Sequence, residues 1–408
     1  MVRWAGRLVT AVCAALAAAC QPAPATLAEP VGSGARCAPT RVFVSGQKGY
    51  STFRIPAVVQ VPGSGAAGPV LVAFAEGRRE SGADHGDVDV VQRRSKDGGC
   101  TWTALRRIAD AGPNTLGNPA PVVEPSRRLV LLTTRNGGAT TEADIMSGDA
   151  VPADGRRVFV RTSDDAGVTW SRPREITAQV KRPGWRWYAT GPGHGIVLTT
   201  GPHKGRLVVG ANHSVTPSPG SGDNGAEPRW YAGHSLLSDD GGKTWRIGYV
   251  DTAGDGRINV NETAVAQLPD GRVYFNARDQ KGTDRGSRAH AWSADGGATL
   301  LAPFRTVPGI TAPSVEGSLL QTYNGRGSGP LLLAAPGEPR DRVRMTVRAS
   351  LDDGVTWSRG YRVSDAKAAY SDLVQIDSEH VGLLYETGTA TPYDTITFVR
   401  LAIASLLR

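Results

Sequence analysis

Hydrophobic and polar residues in this chain form short β-type segments that end in polar turns. Positions 88–94 and 156–161 are examples, each a valine-containing run that shortly precedes a Ser-x-Asp sequence. No long stretch has the apolar periodicity of an amphipathic helix. The pattern therefore predicts an all-β chain.

The polar turns repeat one eight-residue pattern, Ser-x-Asp-x-Gly-x-Thr-Trp. Complete copies begin at Ser95, Ser163, Ser238 and Ser350, and a copy that begins at Ser293 has lost its tryptophan. In a tight turn, aspartate accepts backbone N–H bonds and glycine supplies a positive φ, so the repeat predicts hairpin turns. We therefore assign its carboxylates a structural role.

The spacing of the repeat predicts the architecture. Consecutive copies begin about 64 residues apart, and about six such units fit between position 40 and the end of the chain. A unit of this length made of strands corresponds to a four-stranded blade. We therefore predict a six-bladed β-propeller of four-stranded antiparallel blades, which fills residues 38–408.

Charge narrows the function classes only slightly. The net charge is +8, but the arginines are scattered and no run of them exceeds two. A nucleic-acid groove needs a concentrated basic patch, so nucleic acid is not an expected partner. The seven histidines lack paired ligand spacing, so we predict neither a metal nor another cofactor.

Residues 1–28 predict a signal peptide. Arg3 and Arg7 precede an apolar stretch, 8–19, that is too short to span a bilayer, and small residues follow it. The end of the stretch is also similar to a lipoprotein signal in which Cys20 is lipidated. We therefore expect an exported protein without a transmembrane segment, either secreted or anchored at the cell surface through Cys20.

Two cysteines, Cys37 and Cys100, lie beyond this segment. An oxidising compartment allows them to form a disulfide, and two free thiols are the alternative. We adopt the disulfide as a hypothesis.

The eight-residue repeats resemble the Asp boxes of the sialidase superfamily. Phe53-Arg54-Ile55-Pro56 similarly resembles the F/Y-R-I-P motif of exo-sialidases. The resemblance covers nearly the whole chain after the signal segment. It implies the sialidase fold, with the boxes on the face opposite the active site.

The resemblance also implies an arginine triad that holds the carboxylate of sialic acid. Arg54, Arg278 and Arg342 fall on its positions, although Arg340 and Arg344 flank the third arginine and are alternatives to it. Guanidinium groups suit this role because they bind a carboxylate bidentately and stay charged.

The catalytic acid/base of the family lies in the loop between Arg78 and Arg93. Asp84 matches it by position, Asp87 is its competitor, and Asp89 is assigned to the strand that follows. Arg78 matches a family arginine on the O4 side of the sugar.

Four further residues match family positions. Glu262 and Tyr370 match a nucleophilic pair in which a neutral phenol attacks and a glutamate takes its proton. A neutral phenol avoids the repulsion that a carboxylate would meet at an anomeric carbon that already bears a carboxylate. Glu386 matches the glutamate that orients Arg54, and Asn118 stands where many relatives have aspartate before proline.

We therefore expect a monomeric exo-α-sialidase that releases terminal sialic acids from sialylated glycans with retention of configuration. A transglycosylating or intramolecular sialidase is one alternative, and a non-catalytic Asp-box propeller that binds glycans is another. The aromatic segment 185–188 forms either a wall of the pocket or a packed core cluster. Linkage preference and the particular acid, N-acetyl, N-glycolyl or deaminated, stay open.

Overall fold

The computed structural model describes the following residues: 1–2, 37–65, 68–252, 254–284, 286–325 and 327–408. The predicted signal segment and Cys20 lie outside them, apart from Met1 and Val2. No helix within the described ranges has the length and apolarity of a membrane span.

The first part of the fold consists of strands that begin near the disulfide and end after the second repeat. They are β1 (Thr40–Val44), β2 (Thr52–Val61), β3 (Val70–Arg78), β4 (Val88–Ser95), β5 (Arg106–Ala109), β6 (Thr115–Val123), β7 (Leu129–Asn136), β8 (Arg157–Ser163) and β9 (Arg174–Glu175). Two short helices accompany these strands: α1 (Glu142–Ser147) lies between β7 and β8, and α2 (Thr177–Val180) follows β9. Strand β3 is buried along nearly its whole length, which explains its continuous apolar run.

The remaining strands continue the same antiparallel pattern. They are β10 (Trp185–Thr190), β11 (Ile196–Val197), β12 (Leu207–Val215), β13 (Tyr231–Ser238), β14 (Arg246–Val250), β15 (Val260–Gln267), β16 (Val273–Asp279), β17 (Arg288–Ser293), β18 (Arg305–Thr306), β19 (Ser318–Tyr323), β20 (Ser328–Pro336), β21 (Met345–Ser350), β22 (Tyr361–Arg362), β23 (Lys367–Gln375), β24 (His380–Gly388) and β25 (Thr395–Ala402). Short 3₁₀ turns occur at Pro152–Asp154, Pro228–Trp230 and Ile403–Leu407.

The predicted all-β propeller is present, but the prediction of six separate four-stranded blades is wrong. The described strands form five sheets, of which three have four strands, one has five and one has eight. A parallel bridge between Val88 of β4 and Thr115 of β6 joins two repeat units into the eight-stranded sheet. Strand β11 pairs with β12 and gives another sheet its fifth strand.

The sheets surround a central axis. Strand β2 contacts β6 and β23, β6 contacts β10, and β15 contacts both β12 and β19, which in turn contacts β23. The chain closes this ring because β1 pairs with the last strand, β25. Apolar side chains fill the space between neighbouring sheets, as where Phe53 and Val91 pack with Leu384 and Phe398.

The five repeats form turns with one hydrogen-bonding scheme. In the first copy, Ser95 Oγ accepts the Gly99 N–H and donates to Asp97, and Asp97 accepts both the N–H and the hydroxyl of Thr101. Each turn links the third strand of its unit to the residues that follow. None of the five aspartates lines the cavity described below.

The hypothesis of a Cys37–Cys100 disulfide is confirmed. The bond joins the residues before β1 to the first repeat turn, across a separation of 63 residues.

Candidate active site

A polar cavity of about 340 Å³ lies at one end of the central axis. Eight of the nine site residues predicted from the sequence line it: Arg54, Arg78, Asp84, Asn118, Glu262, Arg278, Arg342 and Tyr370. The ninth, Glu386, has no exposed surface and lies behind Arg54.

β-Bulges place several of these side chains. The pairing register shifts between Arg54 and Ala57 in β2, and similar shifts occur in β6, β15 and β23. Ile55 and Asn118 lie within two of these bulges and have φ values of 57° and 52°, which are unusual for residues other than glycine. A bulge redirects side chains at the end of a strand, so the innermost strands can present polar groups to the axis.

Tyr370 and Glu262 share a short hydrogen bond. The Tyr370 hydroxyl donates to Glu262 Oε1 at 2.5 Å, although the residues are 108 positions apart. Arg278 Nη1 donates to Glu262 Oε2 at 3.0 Å and to the Tyr370 hydroxyl oxygen at 3.2 Å. A phenol, a proton acceptor and a cation therefore meet at one point.

The surroundings of Tyr370 keep its phenol protonated. Burial raises the pKa of Tyr370 well above 10, and the charge of Glu262 raises it further. The positive charges of Arg278, Arg54 and Arg342 act in the opposite direction but do not reverse the shift. The phenol is therefore neutral at neutral pH, with a carboxylate in position to accept its proton.

Arg54 is held by the buried carboxylate of Glu386. Its Nε donates to Glu386 Oε1 at 2.7 Å, and the guanidinium stacks on Tyr393 at 4.0 Å from the ring centroid. Glu386 also accepts the backbone N–H groups of Ile55 at 2.9 Å and Tyr370 at 3.1 Å. One carboxylate thus positions an arginine and the backbone of the tyrosine.

Arg342 is the arginine of its segment that reaches the cavity. Its Nη1 donates to the Tyr393 hydroxyl at 2.7 Å, and its guanidinium lies 5.7 Å from the Tyr370 ring centroid. Arg340 and Arg344 are exposed and do not line the cavity.

Of the three candidate aspartates, only Asp84 lines the cavity. Its Oδ1 pairs with Arg78 Nη1 at 2.7 Å, and 64% of its side chain is exposed. Asp87 instead pairs with Arg79. Asp89 is buried and accepts the Tyr50 hydroxyl at 2.7 Å.

The pKa of Asp84 is lowered in the free protein. The partial loss of water around it inside the cavity acts to raise it, but the positive charges of Arg78 and Arg54 and the hydrogen bond from Arg78 outweigh that effect. Asp84 is therefore ionised at neutral pH in the free protein. A negative charge bound beside these arginines would raise its pKa again.

Several cavity residues were not predicted from the sequence as site residues. They are Glu76, Glu142, Arg156, Asn212 and Tyr393. Of these, only Glu76 could have been recognised from the sequence, because a charged residue inside the apolar run of β3 is unusual and indicates a functional role. In the aromatic segment, Trp187 lines the cavity, whereas Trp185 and Tyr188 belong to a core cluster.

The cavity is basic and suits a ligand that bears a carboxylate. Five arginines line it against four carboxylates: Arg54, Arg78, Arg156, Arg278 and Arg342, with Glu76, Asp84, Glu142 and Glu262. Within the described residues, no group of three or more histidine, cysteine, aspartate or glutamate side chains is arranged to hold a metal ion. The fold and site are those of a propeller protein with an anion-binding pocket beside a paired phenol and carboxylate.

Comparisons with known proteins agree with this class. The family model of the BNR repeat-like domain matches residues 68–383. The exo-alpha-sialidase of Aspergillus fumigatus is 30% identical over 367 residues, which cover 83% of this chain and 79% of the relative. The sialidase of Micromonospora viridifaciens is 31% identical over 405 residues, which cover 95% of this chain and 58% of the relative.

Solved structures of sialidases have the same fold. The Hadza microbial sialidase Hz136 superposes with a TM-score of 0.75 at 28% identity, over 90% of this chain and 69% of that one. A leech intramolecular trans-sialidase superposes with a TM-score of 0.72 over 91% of this chain and 71% of that one, but at 16% identity it shares only the fold. The chain belongs to the sialidase family of glycoside hydrolases.

Proposed function

We propose that this protein is an exo-α-sialidase that hydrolyses terminal α-linked sialic acids of glycoconjugates with retention of configuration. The observation that carries the proposal is the 2.5 Å hydrogen bond from the Tyr370 hydroxyl to Glu262, beside cavity arginines. A propeller that only binds glycans has no need for this contact.

Arg54, Arg278 and Arg342 are proposed to bind the substrate carboxylate. All three line the same cavity near Tyr370, and guanidinium groups bind carboxylates bidentately. Their charges also attract an anionic sugar before it docks. Binding in this way places the anomeric carbon, which bears the carboxylate, next to the phenol.

Tyr370 is proposed to attack the anomeric carbon as its proton passes to Glu262. Most glycosidases use two carboxylates, and sialidases with a tyrosine nucleophile are an exception. The raised pKa makes an unassisted phenoxide rare, so a positioned base is required. Glu262 supplies that base, and Arg278 stabilises the negative charge that develops on the phenol oxygen.

Asp84 is proposed to protonate the leaving oxygen and later to activate water. Its pKa is low in the free protein partly because of Arg54. A bound substrate carboxylate neutralises part of that positive charge and also excludes water, so both effects raise the pKa of Asp84 toward that of a useful acid. After the glycosyl intermediate forms, the ionised carboxylate is ready to take a proton from water.

Turnover of sialyllactose by wild type and Tyr370→Phe tests this proposal. We expect free sialic acid, released first as the α-anomer in an NMR time course, and a large loss of activity in the variant. Tyr361→Phe is the matched control, because Tyr361 is exposed on β22. Anhydro or transferred sugar as the main product would assign the chain to the intramolecular or transglycosylating alternative, and no turnover at all would overturn the proposal.

We also propose that the protein is exported, either secreted or anchored through Cys20. The Cys37–Cys100 disulfide supports export, since such bonds persist in oxidising compartments. Mass spectrometry of protein from the culture medium and from the membrane fraction tests this, because cleavage and lipidation each change the mass of the N-terminal peptide.

A further inference from the structure

Strand β23 carries Tyr370 to the cavity on a β-bulge. Its pairing register with β24 shifts between Ala368 and Ser371. As a result, Ala369 and Tyr370 stand together opposite Glu386. A bulge takes N–H groups out of the regular ladder, and buried N–H groups of this kind need other acceptors.

Two carboxyl groups accept the N–H groups of this bulge. Glu386 Oε2 accepts that of Tyr370 at 3.1 Å, and Glu316 Oε2 accepts that of Ser371 at 2.9 Å. Glu386 belongs to β24 of the same sheet, whereas Glu316 lies two residues before β19, the innermost strand of the neighbouring sheet. The bulge is therefore held from its own sheet and from the next one.

Glu316 acts only through the backbone of this strand. No more than 2% of the residue is exposed, and it does not line the cavity, so a substrate cannot touch it. Its Oε1 has no hydrogen-bond partner among the described residues. The contact with Ser371, the residue directly after Tyr370, is thus its link to the site.

The regular part of the strand is held in a different way. The N–H group of Leu373 is accepted at 2.9 Å by Ser318 Oγ, which is a short side chain on β19. The long side chain of Glu316 serves the bulge instead. The neighbouring sheet therefore supplies a separate acceptor for the part of β23 that presents the phenol.

The surroundings of Glu316 keep its carboxyl group neutral. Burial raises the pKa of Glu316 well above its usual range, and the negative charges of Glu262 and Asp372 add to this effect. The hydrogen bond from the Ser371 N–H and the charge of Arg288 act in the opposite direction without reversing it. Glu316 therefore carries its proton at neutral pH and adds no charge beside Glu262.

We infer that Glu316 is a positioning residue that fixes the bulge of β23 and so holds the Tyr370 hydroxyl against Glu262. The inference rests on the proposed function, because it assigns Glu316 to the attack by Tyr370. Proton transfer requires the phenol to stay within hydrogen-bond reach of its base, and the position of the phenol follows from the backbone that carries it. A neutral acceptor is sufficient to hold that backbone.

Single-turnover kinetics with a 4-methylumbelliferyl sialoside and excess enzyme test the inference, because release of the aryl group in the first turnover reports the attack by Tyr370. Glu316→Ala removes the acceptor and should slow this step about 10²-fold, the cost of displacing a reacting group by about 1 Å. The enzyme concentration that gives half of the maximal rate should change little, because Arg54, Arg278 and Arg342 remain to bind the substrate. Glu316→Gln should keep most of the wild-type rate, since its amide oxygen accepts the same N–H and its shape is that of a neutral acid.

Gln267→Ala is the matched control. Gln267 is 5% exposed, and its Oε1 accepts the Thr199 N–H at 2.7 Å outside the active-site cavity. Its loss removes a buried acceptor of a backbone N–H, as Glu316→Ala does, so both variants should lower the urea midpoint. Only Glu316→Ala should slow the first turnover.

The outcomes separate this inference from the proposed function. A wild-type first-turnover rate in Glu316→Ala, an equal slowing in Gln267→Ala, or a rate in Glu316→Gln as low as that of Glu316→Ala would each overturn the inference and leave sialidase activity standing. Absence of turnover in the wild type would overturn the proposed function itself. If Glu316→Ala does not fold, Glu316→Asp replaces it, because the shorter acid withdraws its acceptor from Ser371, and an unchanged rate in that variant would also overturn the inference.

Discussion

The Arg54–Glu386 pair is a buried contact on which the carboxylate side of the site depends. Replacing Glu386 by alanine removes the acceptor of three hydrogen bonds, from Arg54 Nε at 2.7 Å and from the N–H groups of Ile55 and Tyr370. Only 8% of the Arg54 side chain and none of the Glu386 side chain is exposed. The variant therefore leaves a buried guanidinium and two buried N–H groups without this partner.

Glu386→Ala should lower the free energy of unfolding by about 3–5 kcal/mol, the usual cost of removing one member of a buried ion pair. An exposed pair provides the matched control. Arg128 Nε and Asp164 Oδ1 are 2.6 Å apart, but their side chains are 36% and 70% exposed. Because water solvates the charge left behind there, Asp164→Ala should cost only about 0–1 kcal/mol.

Urea denaturation of the purified proteins, with turnover of a fluorogenic sialoside measured in parallel, provides the assay. The double variant Arg54→Leu/Glu386→Leu removes both charges, so it should recover part of the lost stability. It should recover no activity, because Arg54 is absent. If Glu386→Ala destabilises the protein no more than Asp164→Ala does, the reasoning from burial is refuted.

Three further predictions concern other parts of the molecule. Asp84→Asn should reduce turnover of sialyllactose by about 10²–10⁴-fold but affect an aryl sialoside much less, since an aryl leaving group needs little protonation; equal losses would argue against an acid role. Burial lowers the pKa of His213 to about 3 and that of His234 well below 6.5. Unfolded histidines bind protons that the folded ones do not, so stability should fall as the pH decreases from about 6.5 toward 3. Urea midpoints should show that fall, and His213→Gln should make it shallower. Replacing Cys37 and Cys100 by serine should cost about 2–5 kcal/mol of unfolding free energy without abolishing activity, which thermal melts and assays at 25 °C can check.

The repeat pattern identified the all-β propeller but not the way its strands join. Spacing along the chain reports how often a turn occurs, and each turn is formed by neighbouring residues such as Ser95, Asp97 and Thr101. A bridge between repeat units, such as Val88 with Thr115, depends on backbone positions that no local pattern encodes. The prediction of six separate blades was therefore wrong, although the class of fold was right.

Sequence motifs identified most residues of the candidate site, but residues outside the motifs were missed. Arg156 is an example, because it and the adjacent Arg157 have similar neighbours in the sequence. Arg156 is buried in the cavity wall, whereas Arg157 pairs with Glu175 at the surface. Their difference comes from Trp187 and Asn118, which are distant in sequence and reach Arg156 only in the folded protein.

The proposed mechanism depends most on Tyr370 as the nucleophile, and covalent trapping tests this role directly. The protein would be incubated with a glycosyl fluoride of sialic acid that carries a second fluorine at C3. That fluorine destabilises the oxocarbenium-like transition state and slows release of the intermediate. We predict one sugar per chain on the peptide that contains Tyr370, and no adduct in Tyr370→Phe. An adduct on Asp84 or Glu262 of the wild type, or equal labelling of Tyr370→Phe, would contradict the account.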